Sequence, residues 1–264
     1  MVTVDNWWVK FHESSNPDLT LLCFPYAGGN PLVYKEWHRF LDSRIQVLVA
    51  LLPGRSTRLA EPCIDDMDLL IDYLVTSLDK VVDGKYAIFG HSLGSRVALQ
   101  LCKKLFEAGR NIPLHFFASG SGAPHKSYER KHIHNLPKEE MIKELKEMNG
   151  TPSVILENAE LMGLLLPMLR ADFKLAETFN YSPKNKLPIN LSVFHGEQDV
   201  DVNKEQAMAW CELFKGNSRF IEFEGNHFFV EKNARQVACY VNDELTAVLS
   251  ENRKKIHDST LMLK

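Results

Sequence analysis

Ser92 stands in Gly90-His91-Ser92-Leu93-Gly94, after the apolar run Tyr86-Ala87-Ile88-Phe89 and before Ser95-Arg96-Val97-Ala98-Leu99-Gln100-Leu101. A Gly-x-Ser-x-Gly pentapeptide between a strand and a helix is the setting of a nucleophile elbow. The turn leaves no room for side chains on either flank, and its strained backbone lifts the hydroxyl above the sheet. Many chains carry the pentapeptide by chance; the flanking strand and helix make it informative here. A hydroxyl attacks only when a base takes its proton, and the base works best when an acid fixes its tautomer. Downstream, Leu191-Ser192-Val193-Phe194-His195 reads as a strand leading into a loop that offers Glu197, Asp199 and Asp201. Arg219 to Phe223 reads as another strand, followed by Glu224-Gly225-Asn226-His227. Of the 10 histidines, His227 follows the last expected strand with a glycine before it. His91 belongs to the elbow and supports the turn, and His195 packs within a strand. Serine, acid, histidine is a chain order known for such catalytic sets.

Attack on a carbonyl creates an oxyanion that needs two preorganised donors. The amide of Leu93, directly after the serine, is one candidate. The other is the amide of Ala27 in Phe24-Pro25-Tyr26-Ala27-Gly28-Gly29-Asn30, where two glycines let the backbone turn close to the site.

Elements must bring these residues together. Leu19 to Phe24, Ile45 to Leu51, Tyr86 to Phe89, Leu114 to Ser119, Leu191 to His195 and Arg219 to Phe223 read as strands. Helix-period apolar positions fill Leu32 to Leu41, Met67 to Val82, Ser95 to Ala108, Glu205 to Phe214 and Arg235 to Ser250. Strands alternating with helices predict a mostly parallel sheet flanked by crossover helices, with chemistry at the carboxyl ends of the strands. One stretch breaks the alternation: Pro137 to Pro183 is helix-rich, strandless and apolar. The whole chain, 1–264, reads as one domain with 137–183 as a helical lid, whose Leu164, Leu165 and Met168 line an acyl pocket.

Bulk properties narrow the classes. A net charge of −3 with no long basic block argues against a nucleic-acid binder. No apolar run has the length to span a bilayer, and Met1 to Lys10 does not read as a signal peptide. The 5 cysteines lack paired metal-ligand spacing and read as free thiols, so no metal and a reducing, cytoplasmic setting are expected. A monomer is expected.

Further motifs extend along the chain: Cys23-Phe24-Pro25-Tyr26-Ala27-Gly28-Gly29, Leu52-Pro53-Gly54-Arg55 with Arg58 and Glu61-Pro62, and His134-Asn135-Leu136-Pro137. Gly150-Thr151-Pro152, Leu169-Arg170-Ala171-Asp172, Gly196-Glu197-Gln198-Asp199 and Gly225-Asn226-His227-Phe228 follow. With the elbow, these resemble the type II thioesterases of polyketide and nonribosomal peptide biosynthesis and the related medium-chain fatty-acyl thioesterase. The resemblance runs from about Leu21 to Val241. It implies an α/β-hydrolase fold with a helical lid, no cofactor, and Ser92, Asp199 and His227 as nucleophile, acid and base. Val200 departs from the pattern, which often has a proline there. The implied reaction is hydrolysis of acyl thioesters on the phosphopantetheine arm of a carrier protein, for editing or release. A carboxyl esterase or acyltransferase would use the same triad but needs an acceptor site that the sequence does not mark. A non-catalytic relative would lack the serine or the histidine. Carrier proteins are acidic around their phosphopantetheine serine, so Lys126, Arg130 and Lys131, after the strand at 114–119, are the expected docking cations.

Overall fold

Runs rich in β-branched and aromatic residues pair edge to edge. In the computed structural model, which describes residues 1–128, 131–148 and 150–261, with side chains as far as 250, six of them form a parallel array. These are β3 (Leu19–Phe24), β4 (Ile45–Ala50), β5 (Tyr86–His91), β6 (His115–Ser119), β7 (Asn190–Gly196) and β8 (Ser218–Phe223). A hairpin, β1 (Val2–Asp5) and β2 (Trp8–Lys10), adds two antiparallel strands, and the order among the described residues is β1-β2-β4-β3-β5-β6-β7-β8. The hairpin was not expected from the sequence. It turns at Asn6-Trp7 and plants the fully buried Trp8 edge-on against Phe24, 5.4 Å between ring centroids.

The central strands are buried on both faces because helices cover both. Period-two alternation divides their side chains. Leu22, Phe24, Ile88, Phe116, Leu191 and Val193 pack beneath α1 (Met67–Val81) and α2 (Leu93–Glu107). Leu21, Cys23, Ala87, Phe89, Phe117 and Phe194 face Trp37 and the apolar side of α8 (Ala234–Leu261), which contributes Val237, Val241 and Leu245. Asp66 caps α1 by accepting from the Leu69 amide.

Two expected helices are shorter than the pattern suggested. Leu32 to Leu41 resolves into 3₁₀ turns at Pro31–Tyr34 and Trp37–Arg39, which bury Tyr34 and Trp37 three residues apart on one face. Glu205 to Phe214 divides into a short α6 (Lys204–Met208) and a 3₁₀ turn (Ala209–Leu213). The break lets buried Trp210 donate its indole N–H to the Ser121 carbonyl at 2.7 Å.

Between β6 and β7 lie α3 (Lys138–Met148), α4 (Ser153–Leu156) and α5 (Ala159–Thr178). They hold a small core of their own: Met141, Leu145, Leu156, Met162, Leu166, Met168 and Leu169. Asn158 caps α5 through the amides of Glu160 and Leu161. Pro167 inside α5 removes one helical donor. Among the described residues, no helix is long and apolar enough to cross a membrane.

Candidate active site

The elbow forms where β5 runs into α2. Ser92 has φ 53° and ψ −114°, a strained conformation for a residue with a Cβ. A Cβ on Gly94 would lie 2.0 Å from the Phe24 carbonyl oxygen, and one on Gly90 would lie 2.5 Å from the Gly94 backbone. Glycine at both positions is therefore a steric requirement. The Ser92 amide donates to the Ser119 carbonyl at 2.8 Å, and the Ser95 hydroxyl donates to the Gly90 carbonyl at 2.6 Å. These bonds pin the turn between β5 and β6.

The loops after β7 and β8 bring the other two groups to Ser92. His227 Nε2 lies 3.0 Å from Ser92 Oγ, and His227 Nδ1 lies 2.8 Å from Asp199 Oδ2. With Nδ1–H donating to the carboxylate, the Nε2 lone pair faces the serine hydroxyl. The other oxygen of Asp199 accepts the amides of Asp201 at 2.9 Å and Val202 at 3.1 Å. Burial pushes the Asp199 carboxyl up, but the bonds from His227 and those two amides outweigh it and hold it below its ordinary value. Asp201 and Glu197 are exposed, and neither is hydrogen-bonded to the imidazole. Hydrogen bonding decides among the three acids: Asp199 bonds His227 Nδ1, whereas an Asp201 oxygen comes within 4.8 Å of Asp199 and His227 without bonding the imidazole.

His91 occupies the floor. Its Nε2 donates to the His227 carbonyl at 2.9 Å and its Nδ1 accepts from Ser119 Oγ at 2.8 Å. Complete burial and the neighbouring His227 imidazole lower its pKa to about 3, so it stays neutral and fastens the His227 loop to β6. His195 is buried and bonds to the Val202 carbonyl at 2.9 Å.

Opposite the elbow, Tyr26 to Gly29 makes a turn closed by the Gly29 amide on the Tyr26 carbonyl at 2.8 Å. Gly28 at its third position has φ +76°. Among the described residues, the amides of Ala27 and Leu93 donate to no protein acceptor. Unpaired donors beside a serine are what an oxyanion requires.

The helical segment reaches this centre through residues of the quoted motifs to which the sequence assigned no individual contact. A Cβ on Gly28 would lie 2.7 Å from Leu169 Cδ2, so α5 rests on the glycine turn. A Cβ on Gly150 would lie 2.2 Å from the Phe228 ring, which packs edge-on against Tyr26 at 5.2 Å. Met168 is buried, with its Cβ close over Gly54, and Leu165 is half-buried. Leu164 is 59 % exposed on the outer face of α5, outside the apolar cluster that includes Met168, and does not take the lining place expected of it.

Of the expected docking cations, Lys126 pairs with Glu212 at 2.7 Å and Lys131 with Glu144, and Arg130 lies outside the described residues. Donor atoms of His132, His134 and Glu177 lie within 4.8 Å of one another. Glu177 already accepts from the Ile133 and His134 amides and meets His134 Nδ1, so its oxygens are spent on holding that loop.

Comparison with known proteins agrees with this geometry. The thioesterase-domain family model matches residues 19–245. Gramicidin S biosynthesis protein GrsT of Aneurinibacillus migulanus is 31 % identical over 94 % of this chain and 96 % of its own length. The medium-chain S-acyl fatty acid synthase thioesterase of Rattus norvegicus is 32 % identical over 82 % of this chain and 84 % of its own. Among solved structures, the type II thioesterase BorB from the borrelidin biosynthetic cluster superposes with a TM-score of 0.84 and 29 % identity. That likeness covers 93 % of this chain and all of BorB. The chain belongs to the thioesterase family and is a thioester hydrolase of the α/β-hydrolase type.

Proposed function

We propose that the protein hydrolyses acyl thioesters held on the phosphopantetheine arm of a carrier protein in polyketide or nonribosomal peptide synthesis, with Ser92, His227 and Asp199 as its catalytic residues. The observation that carries the reading is the unbroken relay from Ser92 Oγ through His227 to Asp199, with contacts of 3.0 and 2.8 Å. His227 Nε2 takes the hydroxyl proton as Ser92 Oγ bonds to the thioester carbonyl carbon. The resulting oxyanion accepts the amides of Leu93 and Ala27. Collapse breaks the C–S bond, and the imidazolium returns its proton to the departing phosphopantetheine thiol. Water then attacks the acyl-serine with His227 again as base, releasing the carboxylic acid and restoring the hydroxyl. Asp199 keeps the imidazole in the productive tautomer and stabilises its charged form.

Residues 137–183 serve in this reading as the lid over the acyl chain, supported by Leu169 on the Gly28 turn and Gly150 on Phe228. The names of the relatives, a gramicidin S biosynthesis protein and a thioesterase from the borrelidin cluster, support the megasynthase setting. The likeness to the rat medium-chain enzyme supports a second use, release of medium-chain fatty acyl groups.

Incubating the enzyme with carrier proteins loaded with acyl groups of different length, and reading them by intact-protein mass spectrometry, tests both. Ser92→Ala is expected to keep the fold and lose at least about a thousandfold in hydrolysis. Activity within a few-fold of the parent on any thioester would remove the triad. A sharp preference for medium straight chains would favour the second use.

A further inference from the structure

Arg55 and Asp172 form an ion pair with side chains 7 % and 2 % exposed, joining the loop after β4 to the middle of α5. The contact is bidentate, with Nη1 at 2.8 Å from Oδ2 and Nη2 at 2.6 Å from Oδ1. Both groups also hold the glycine turn. The Gly28 amide donates to Asp172 Oδ2 at 2.7 Å, and Arg55 Nη1 donates to the Gly29 carbonyl at 3.2 Å. Two buried charges are a costly way to join two segments when apolar packing would serve, which suggests a role beyond adhesion. Backbone strain accompanies them. Among the described residues, the non-glycine residues with positive φ are Ser92 and Ser56, which is next to Arg55. Strain of this kind survives only where the surroundings enforce it.

We propose that Arg55 and Asp172 are positioning residues for hydrolysis: the pair holds the Tyr26–Gly29 turn so that the neighbouring Ala27 amide stays unpaired for the oxyanion, and it does so only while α5 is docked on the turn. The inference rests on reading the Ala27 amide as an oxyanion donor. Asp172 captures the Gly28 N–H, whose peptide plane would otherwise be free to rotate, and Arg55 restrains the Gly29 carbonyl at the end of the turn. The carboxylate comes from the lid helix. Lid docking and completion of the oxyanion site are therefore one event, and a displaced α5 leaves Ser92 without its second donor.

The test uses Asp172→Asn, Arg55→Lys and the apolar double variant Arg55→Met with Asp172→Leu. The double removes the charges without stranding either one, so it remains folded if a single variant does not. Readouts are the thermal midpoint, kcat and KM on an acyl-N-acetylcysteamine, and Ki for an alkyl trifluoromethyl ketone. That ketone forms a hemiketal with Ser92 whose oxygen occupies the oxyanion site. Each folded variant is expected to lose roughly tenfold to a hundredfold in kcat with KM within threefold, and Ki for the ketone should rise by a similar factor. A double variant that regains both kcat and ketone affinity would show the pair to be a structural staple and overturn the proposal. A kcat loss without change in Ki would overturn it too, because the pair would then act away from the oxyanion. The ¹⁹F signal of the hemiketal in the parent enzyme tests the underlying reading separately. Its absence would mean that Ser92 does not attack carbonyls, whatever the variants do.

Discussion

Asp199 and Asp201 are separated by one residue, and only one of them meets His227. Asp199 accepts the imidazole N–H and two backbone amides at once, so it stays ionised where a lone buried carboxyl would not. Asparagine there offers the wrong hydrogen-bonding pattern and cannot stabilise the imidazolium. Asp199→Asn is expected to lower kcat on the order of ten-thousand-fold, and Asp201→Asn less than threefold. Steady-state kinetics on one small thioester checks both, and a larger loss at Asp201 would move the acid by two residues. His91 shows why a second histidine in the elbow does not compete for the role. Its ring is buried, neutral and already bonded at both nitrogens.

At the scale of elements, the helical segment from α3 to α5 interrupts the alternation of strands and helices between β6 and β7. Its small core packs α3, α4 and α5 together, and its contacts with the centre run through Leu169, Asp172 and Gly150. Acyl selectivity is expected to follow residues on its inner side. Leu165→Trp should lower kcat/KM for long acyl chains by about tenfold and leave an acetyl thioester nearly unchanged, as pocket volume sets discrimination among chains. Leu164→Trp, on the exposed face, should change neither. Kinetics across a chain-length series checks this; equal losses on every substrate would make the segment structural only.

Across the whole molecule, His91 and His115 contribute to the pH dependence of stability. Burial lowers the pKa of His91 to about 3 and, with a small contribution from Arg219, that of His115 to about 4. The unfolded chain binds a proton at each site below about pH 6.5, while the native state does not, so unfolding takes up protons and stability falls as pH drops. At pH 5 each site accounts for about 2 kcal/mol of lost stability. The Asp199 contribution has the same sign but a lower window, lost only as pH falls below about 4 toward its depressed value. Thermal melts from pH 7 to pH 5 should show a falling midpoint, and in His115→Gln that fall should be smaller by about 5 °C. An unchanged fall would mean that His115 titrates normally.

Charge on the outer surface gives the other molecule-scale expectation. Lys126 and Lys131 are each neutralised by a glutamate, so their combined field toward an acidic carrier is weak. Reversing both to glutamate should slow turnover of acyl-carrier protein by about threefold at low salt, with the effect fading as salt rises. Acyl-N-acetylcysteamine, with no protein surface to dock, should be hydrolysed as before. Loss on both substrates would take these lysines out of docking.

Local physics made much of this protein readable from its residues. The elbow announces itself because its turn admits only glycine on both flanks, and the inner parallel strands because strands buried on both faces are mostly apolar, whereas the edge strand β8 keeps exposed polar residues. The boundaries of α1 and α2 follow from the apolar period within two residues. The N-terminal hairpin escaped because strands of four and three residues carry little periodic signal and depend on β4 for pairing. Residue type alone left Glu197, Asp199 and Asp201 open; the resemblance pointed to Asp199, and its bond to His227, like the bonds of the His91 floor, depends on the fold of the loops. Most of all, Arg55 and Asp172 lie 117 positions apart. Their meeting depends on where α5 packs, and long-range packing is set by the balance of the whole core rather than by any local run of residues.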